Sequence, residues 1–295
     1  MTPFRSGIVA VIGRPNVGKS SLVNSLVGRK VAIVSDKPQT TRRDIRGILT
    51  TDDAQVVFTD TPGFHKPRTQ LGVRLNDLVG NATHGVDVVV LVVDGKAGVG
   101  RGDAFVYERH VAQAGAGARF CVVNKIDALK HDELIPQLAA AGALGEFEEI
   151  MPVSARQGEG LAELLDLIVA RLPEGPPLYP VDEQTDVPIE VHLAELVREQ
   201  ALAVTREEVP HSVAVVVDEM EREGNLTRVI AAIIVERDSQ KGILIGRGGE
   251  TLKMIGTRAR AEMEPLLGTK VFLDLRVKVA KEWQRDPKAL DRLGF

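Results

Sequence analysis

Among its 295 residues the chain has one cysteine, one tryptophan and two tyrosines, and aromatic side chains make up only 4% of it. A lone cysteine excludes an internal disulfide and fits a reducing compartment. Cys121 lies inside the apolar run Phe120-Cys121-Val122-Val123, so it reads as a buried, inert thiol rather than a nucleophile. With so few aromatics, the cores must be built from Val, Ile, Leu and Ala. Long apolar runs are missing too. The longest, Val88 to Val93, is strand-sized and far short of the ~20 residues of a membrane-spanning helix. No cleavable signal pattern follows the apolar residues 8–12, and the six histidines show no metal-ligand spacing. A cytoplasmic monomer is expected.

An overall basic balance is also lacking. Net charge is −4, which argues against a general nucleic-acid binder, but the distribution is uneven. Residues 182–223 carry 12 acidic and 3 basic side chains, whereas residues 237–288 carry 12 basic and 7 acidic ones. A local anion-binding face can therefore sit in the C-terminal part.

The first ~170 residues alternate apolar runs at 8–12, 55–59, 87–93, 119–123 and 150–153 with amphipathic stretches near 19–28, 101–114, 131–141 and 160–171. Apolar runs without polar alternation imply strands buried on both faces, that is, a mostly parallel sheet with helices on both sides. The stretch from Leu172 to Pro180 contains four prolines and interrupts this pattern. The expected division is an α/β domain over residues 1–172, a proline-rich linker over 173–186 and an α+β domain over 187–295. In the last, the pattern predicts a strand at 187–191, a helix at 193–205, strands at 212–219 and 227–236, a helix at 249–263, a strand at 270–279 and a short C-terminal helix.

Strand 8–12 runs into Gly13-Arg14-Pro15-Asn16-Val17-Gly18-Lys19-Ser20, with a helix expected from Ser21. This is the phosphate-binding P-loop in its strand–loop–helix setting: backbone N–H groups from Gly13, Asn16, Val17 and Gly18 onward turn towards phosphate oxygens. Lys19 is expected at the β- and γ-phosphates, and Ser20 on Mg²⁺. Asp60-Thr61-Pro62-Gly63 closes the next strand, so Asp60 is a candidate Mg²⁺ ligand and the Gly63 N–H a γ-phosphate contact. A polar loop from Ser35 to Arg43 holds Thr40 and Thr41; one of them completes the metal shell, and Thr41 is favoured. Asn124-Lys125-Ile126-Asp127 follows strand 119–123. A carboxylate at Asp127 can accept both N1–H and the N2 amine of guanine, an arrangement adenine cannot supply. Lys125 is expected along the base, Asn124 as a loop brace, and the Ala155 N–H of Ser154-Ala155 at guanine O6. These motifs, in this order and at strand ends, point to binding and hydrolysis of GTP.

Where a water-positioning glutamine is common, the chain has Phe64, followed by His65, which reads as a loop surface residue. A phenyl ring cannot orient water, so slow hydrolysis is expected, no faster than ~10⁻⁴ per second. A partner or a monovalent cation such as K⁺, held by Asn16, is expected to complete the catalytic group.

Three Gly-x-x-Gly matches occur, at 95–98, 142–145 and 246–249. Only Gly246-Arg247-Gly248-Gly249 is preceded by an apolar element and followed by a helix with basic residues, Lys253 among them. That is the loop with which KH domains clamp single-stranded RNA. The alternative is a turn on a domain that docks a protein or membrane partner. Residues 218–225 read as a hairpin end with Gly224-Asn225 at the turn, and Trp283 as an anchor of the C-terminal helix.

Taken together, the chain resembles the bacterial Era family of ribosome-assembly GTPases. The resemblance rests on residues 13–22, Pro38-Gln39-Thr40-Thr41-Arg42, the run from Asp60 to Pro67, Asn124-Lys125-Ile126-Asp127, Ser154-Ala155, Ile245 to Gly249, and the ending from Lys281-Glu282-Trp283 to Leu293-Gly294. It implies a P-loop GTPase domain followed by a type II KH domain, GTP or GDP with Mg²⁺, and nucleotide contacts that include Ser21. It also implies binding to the 3′ end of 16S ribosomal RNA, a role in maturing the small ribosomal subunit, and peripheral association with the inner membrane. Loops 35–43 and 64–75 are expected to be the segments ordered by GTP.

Overall fold

A computed structural model describes residues 3–295, apart from residues 38, 65, 66, 68, 116, 131 and 206–208; His65 thus lies outside the described residues. The first half runs β1 (Arg5–Ile12), α1 (Lys19–Val27), β2 (Ile45–Thr50), β3 (Ala54–Asp60), α2 (Gln70–Asn81), β4 (Val88–Asp94), α3 (Arg101–Val106), β5 (Ala118–Asn124), α4 (Leu134–Gly142), β6 (Glu149–Val153) and α5 (Leu161–Arg171). The second runs α6 (Ile189–Val204), α7 (Val209–Ser212), β7 (Ala214–Glu223), β8 (Leu226–Val235), α8 (Asp238–Ile245), α9 (Glu250–Leu267), β9 (Lys270–Val279) and α10 (Pro287–Leu293). Two compact units result, the first ending at Asp186 and the second built mainly of Val187–Phe295.

The first unit is a six-stranded sheet in the order β2-β3-β1-β4-β5-β6, parallel except for β2 against β3. Every residue of β4 is buried. Successive side chains of a strand point to opposite faces. Accordingly Val88, Val90 and Val92 join one core with Leu22 of α1 and Leu164 of α5, while Val89, Leu91 and Val93 join another with Val106 and Val111. Unbroken Val/Leu sequence is what such a two-sided position requires. Cys121 is fully buried in the second of these cores, and burial pushes its thiol pKa up to about 12.

Several elements depart from the sequence expectations. β2 is an added antiparallel edge strand; Arg46 and Gly47 between its apolar residues hide its pattern. α2 begins within the stretch expected as a loop (64–75), with Leu71, Leu75 and Val79 buried one turn apart. The helix expected over 101–114 is α-helical only to Val106 and continues as a π-helical turn, Tyr107–Val111. No strand forms at 187–191. Val187, Ile189 and Val191 alternate as a strand would, but Pro188 stands at the helix N-cap, and Leu193, Leu196 and Val197 bury one helical face.

Residues 173–186, expected as a linker, do not form a free spacer but a strap held along the first unit. The Ser6 N–H donates to the Pro173 carbonyl, and the Ile48 N–H donates to the Gln184 carbonyl. Gln55, wholly buried on β3, accepts from the N–H groups of Leu178 and Tyr179 and donates to the Tyr179 carbonyl and Thr50 Oγ1. A buried amide is tolerated only when so satisfied.

The second unit has the sheet order β7-β8-β9, antiparallel then parallel. Leu193, Val197 and Ala201 of α6 and Ile255, Ala259 and Met263 of α9 pack with Val229 and Ile233 of β8. This αββααβ order is that of a type II KH domain. The β7–β8 hairpin turns at Gly224-Asn225, as expected. Trp283 is 1% exposed, donates from Nε1 to the Ser212 carbonyl at 3.1 Å and stacks on Phe295.

Candidate functional site

Parallel strands β1, β4, β5 and β6, together with β3, end on one edge of the sheet, the place where ligand loops collect in doubly wound folds. Register lines the loops up: Val11 pairs with Asp60, Asp94 with Asn124, and Asn124 with Val153.

The P-loop turns between β1 and α1. Gly18 caps α1 at φ 98°, and a Cβ there would lie 2.3 Å from Asn124 Nδ2, so no side chain is tolerated. No side chain caps α1, whose first-turn N–H groups therefore form a positive helix end open to an anion. Ser21 lies in that first turn. Asn16 is also left-handed, at φ 64°. Buried Lys19 spans the loop, its Nζ 3.2 Å from the Gly13 carbonyl and 3.0 Å from the Arg14 carbonyl. Burial lowers its pKa to about 8, against the opposing pull of Asp60.

Three oxygen-bearing side chains meet beside it. Ser20 Oγ lies 2.7 Å from Asp60 Oδ2 and 3.0 Å from Thr41 Oγ1, and Thr41 Oγ1 lies 3.2 Å from Asp60 Oδ2. Thr41 is joined to this cluster by both contacts. Asp60 is fully buried, and its Oδ1 has no hydrogen-bond partner among the described residues. Burial raises its carboxyl pKa, opposed by Lys19, Ser20 and Thr41. A desolvated carboxylate with an unused oxygen, flanked by two hydroxyls, is a hard-cation donor set of the kind Mg²⁺ takes. Gly63 lies against Pro15, where a Cβ would come within 2.6 Å of Pro15 Cα. Phe64 is turned into the apolar side, its ring 5.2 Å from Phe105 and 5.1 Å from His110.

On the base-reading side, Asn124 Nδ2 donates to the Val17 carbonyl at 2.9 Å and its Oδ1 accepts from the Ala155 N–H at 3.1 Å. Asn124 therefore ties the P-loop to the last loop. The Ala155 N–H, expected at guanine O6, is engaged by Asn124 here, because the brace occupies the donor. Ser154 Oγ donates to Asp127 Oδ1 at 2.6 Å and orients that carboxylate. Lys125, left-handed at φ 66°, reaches back to the Asn16 carbonyl at 2.6 Å and to Asp94 Oδ2 at 2.5 Å. Sequence reasoning missed Asp94; its place at the end of β4, in register with Asn124, is the signal that marks it.

In the second unit, Gly246-Arg247-Gly248-Gly249 forms the turn between α8 and α9, and Arg247 and Lys253 are both exposed. Beside it runs a groove of about 440 Å³ lined by Leu252, Lys253, Gly256, Arg260, Leu273 and Leu275. Basic groups at its mouth and aliphatic walls suit phosphates and unstacked bases respectively.

Among the described residues, no helix is long and apolar enough to cross a membrane.

A family model described as 50S ribosome-binding GTPase matches residues 8–125, and a KH-domain model matches residues 208–284. GTPase Era of Mycolicibacterium smegmatis is 52% identical over the full length of both chains, and GTPase Era of Mycobacterium avium is 53% identical over the same extent. Among solved structures, Era in complex with MgGDPNP and nucleotides 1506–1542 of 16S ribosomal RNA superposes with a TM-score of 0.95, at 38% identity over 99% of each chain. An Aquifex aeolicus Era variant bound to GDP·AlF4⁻ gives 0.94, also at 38% identity over 99% of each chain. With both domains matched in order and more than half the residues identical to curated relatives, the chain belongs to the Era family of GTPases.

Proposed function

We propose that this chain is a GTP-hydrolysing switch that binds the single-stranded 3′ end of 16S ribosomal RNA during assembly and maturation of the small ribosomal subunit. One convergence carries the reading. Ser20, Thr41 and Asp60 meet within 3.2 Å at the sheet edge, and a relative aligned over 99% of the chain holds both MgGDPNP and that RNA segment. The chain is read as cytoplasmic, with peripheral contact at the inner membrane.

In this reading Asp127, oriented by Ser154, accepts the two guanine donors, Lys125 lies along the base, and Asn124 holds the surrounding loops together. Lys19, held by the Gly13 and Arg14 carbonyls, turns its remaining N–H to the phosphates, and the Gly63 N–H contacts the γ-phosphate. Ser20, Thr41 and Asp60 would hold Mg²⁺. When bound there, the metal neutralises charge on the β- and γ-phosphates.

Burial leaves Lys19 about half protonated near pH 8 in the free protein. Phosphate oxygens favour its charged form, so binding GTP above that pH requires proton uptake. Affinity is therefore flat below pH 8 and falls about tenfold per unit above it. Calorimetry in buffers of different ionisation enthalpy measures this; proton release on binding at pH 8.5 would contradict it. The folding linkage runs the other way. In the unfolded chain the lysine holds its proton up to about 10.5, so this group's cost to the free protein is full below pH 8 and relieved between 8 and 10.5.

Phe64, packed on Phe105 and His110, offers no polar group to a water. Intrinsic hydrolysis is expected at no more than ~10⁻⁴ per second and is expected to be faster in K⁺ than in Na⁺, with Asn16→Ala abolishing the difference. Single-turnover rates that are equal in both salts would end the cation role.

GTP and RNA should raise each other's affinity by one shared factor. The test is an anisotropy titration of single-stranded and duplex RNA in the presence of GDP and of a non-hydrolysable GTP analogue. Tighter binding of the single strand, strengthened by the analogue, is expected. Equal affinity in both nucleotide states would contradict the switch, and no RNA binding would leave a docking domain for protein or membrane.

A further inference from the structure

The segment that leaves β4 carries a carboxylate that no nucleotide motif contains. Asp103, in the first turn of α3, is 0% exposed, and its two oxygens point to two places. Oδ2 accepts from the Gly100 N–H at 2.9 Å, closing the start of its own helix. Oδ1 accepts from Arg14 Nε at 2.7 Å, and Arg14 Nη2 donates in addition to the Gly98 carbonyl at 3.2 Å. The guanidinium of a P-loop residue is thereby gripped in a planar fork, a geometry that arginine provides and lysine does not. Room for the arm comes from Gly102, where a Cβ would stand 2.5 Å from Arg14 Cδ.

Arg14 in turn supplies the backbone carbonyl that holds Lys19 Nζ at 3.0 Å. A continuous chain of bonds thus runs from the buried Asp103 through Arg14 to the lysine that faces the phosphates. A buried carboxylate that loses its partner is strongly unfavourable, so the arm has few alternative positions.

We propose that Asp103 is a positioning residue for the phosphate loop, acting through Arg14 to fix the backbone that places Lys19. The inference rests on the nucleotide reading above and deepens it. It touches the phosphate half of the site and not the base half. Asp103→Asn keeps the shape and weakens the charge; Arg14→Gln removes the fork from a partly exposed position and so tests the same bond with less risk to folding. Each is expected to weaken GTP binding by about tenfold and to slow single-turnover hydrolysis by a similar or larger factor, while preference for GTP over ATP is unchanged. Because both act through one bond, the double variant should be no worse than the weaker single variant, whereas independent roles would multiply.

The experiment measures GTP and ATP affinity and single-turnover rate for the wild type, both single variants and the double variant. Coupled, equal losses with base preference retained support the assignment. Variants that lose thermal stability but keep wild-type affinity and rate overturn it, as do losses that multiply. A wild-type chain that binds no GTP overturns the nucleotide reading and this inference with it; GTP binding that neither variant alters overturns this inference alone.

Discussion

Asp127→Asn is expected to lower affinity for GTP by about 10⁴-fold. Guanine presents two adjacent donors, N1–H and the N2 amine. The carboxylate of Asp127 can accept both, and Ser154 Oγ at 2.6 Å from its Oδ1 fixes the plane in which it does so. An amide at the same place accepts one proton and turns its own donor against the other. Asp127 is exposed in the free chain, and a bound base would cover the mismatched pair, which costs more than the lost bond itself. The same reversal has a gain. Xanthine carries a carbonyl where guanine has its amine, so an amide oxygen and NH₂ match it, and xanthosine triphosphate should bind the variant better than GTP does. Competition titrations with both nucleotides check this. Unaltered GTP affinity, or equal weakening of both nucleotides, would mean that Asp127 does not read the base.

Gly248→Asp should cost about 100-fold or more in single-stranded RNA affinity and leave GTP binding unchanged. The residue sits in the turn between α8 and α9 at φ 61°, with nothing within 4 Å of where a Cβ would be. The variant therefore folds with mild backbone strain and projects a carboxylate into the approach to the groove, beside Arg247. A phosphate that closes on this loop meets an added negative charge beside Arg247, and affinity that depends on phosphate contacts is steeply sensitive to such a change. Parallel titrations with RNA and with GTP on the same preparation decide the matter. Intact RNA binding would move the RNA site elsewhere, and a matching loss of GTP affinity would signal general unfolding.

What the sequence made legible, and what it did not, follows from where each interaction is encoded. Phosphate and metal chemistry demands particular residue types at short spacing, so residues 13–20, Asp60 and Asn124 to Asp127 can be read in order along the chain. The parallel sheet was equally legible, because a strand covered on both faces shows as unbroken Val and Leu, as in β4. Contacts made at long range leave no such trace. Asp94 is marked only by its place at the end of β4, which does not name Lys125 as its partner, and nothing near Asp103 announces Arg14, 89 residues away. Gln55 reads as one polar residue in an apolar strand, yet it fastens Leu178 and Tyr179 more than 120 residues later, which is why the proline-rich stretch was expected as a spacer and is instead a strap. Other misses were local and carried a signal. Leu71 and Leu75 stand at helical spacing inside residues 64–75, read as a nucleotide-ordered loop, and Val79 continues that spacing beyond it. At 187–191 two patterns competed, and the core of the second unit selected the helical one, with Leu193, Val197 and Ala201 packed on α9 and β8. The Ala155 N–H shows the limit of motif reading in another way: the motif points it at guanine O6, but its bond to Asn124 is a tertiary fact.

The claim on which the rest depends is that one edge of this sheet recognises a guanine base and its phosphate tail together. Displacement of a fluorescent GTP analogue from the intact chain in Mg²⁺, by unlabelled GTP and by ATP, measures it most directly. Full displacement by GTP at near-stoichiometric concentration, with ATP ineffective up to about 10⁴-fold excess, is the expected result. Equal displacement by ATP, or no binding of the analogue at all, would contradict it.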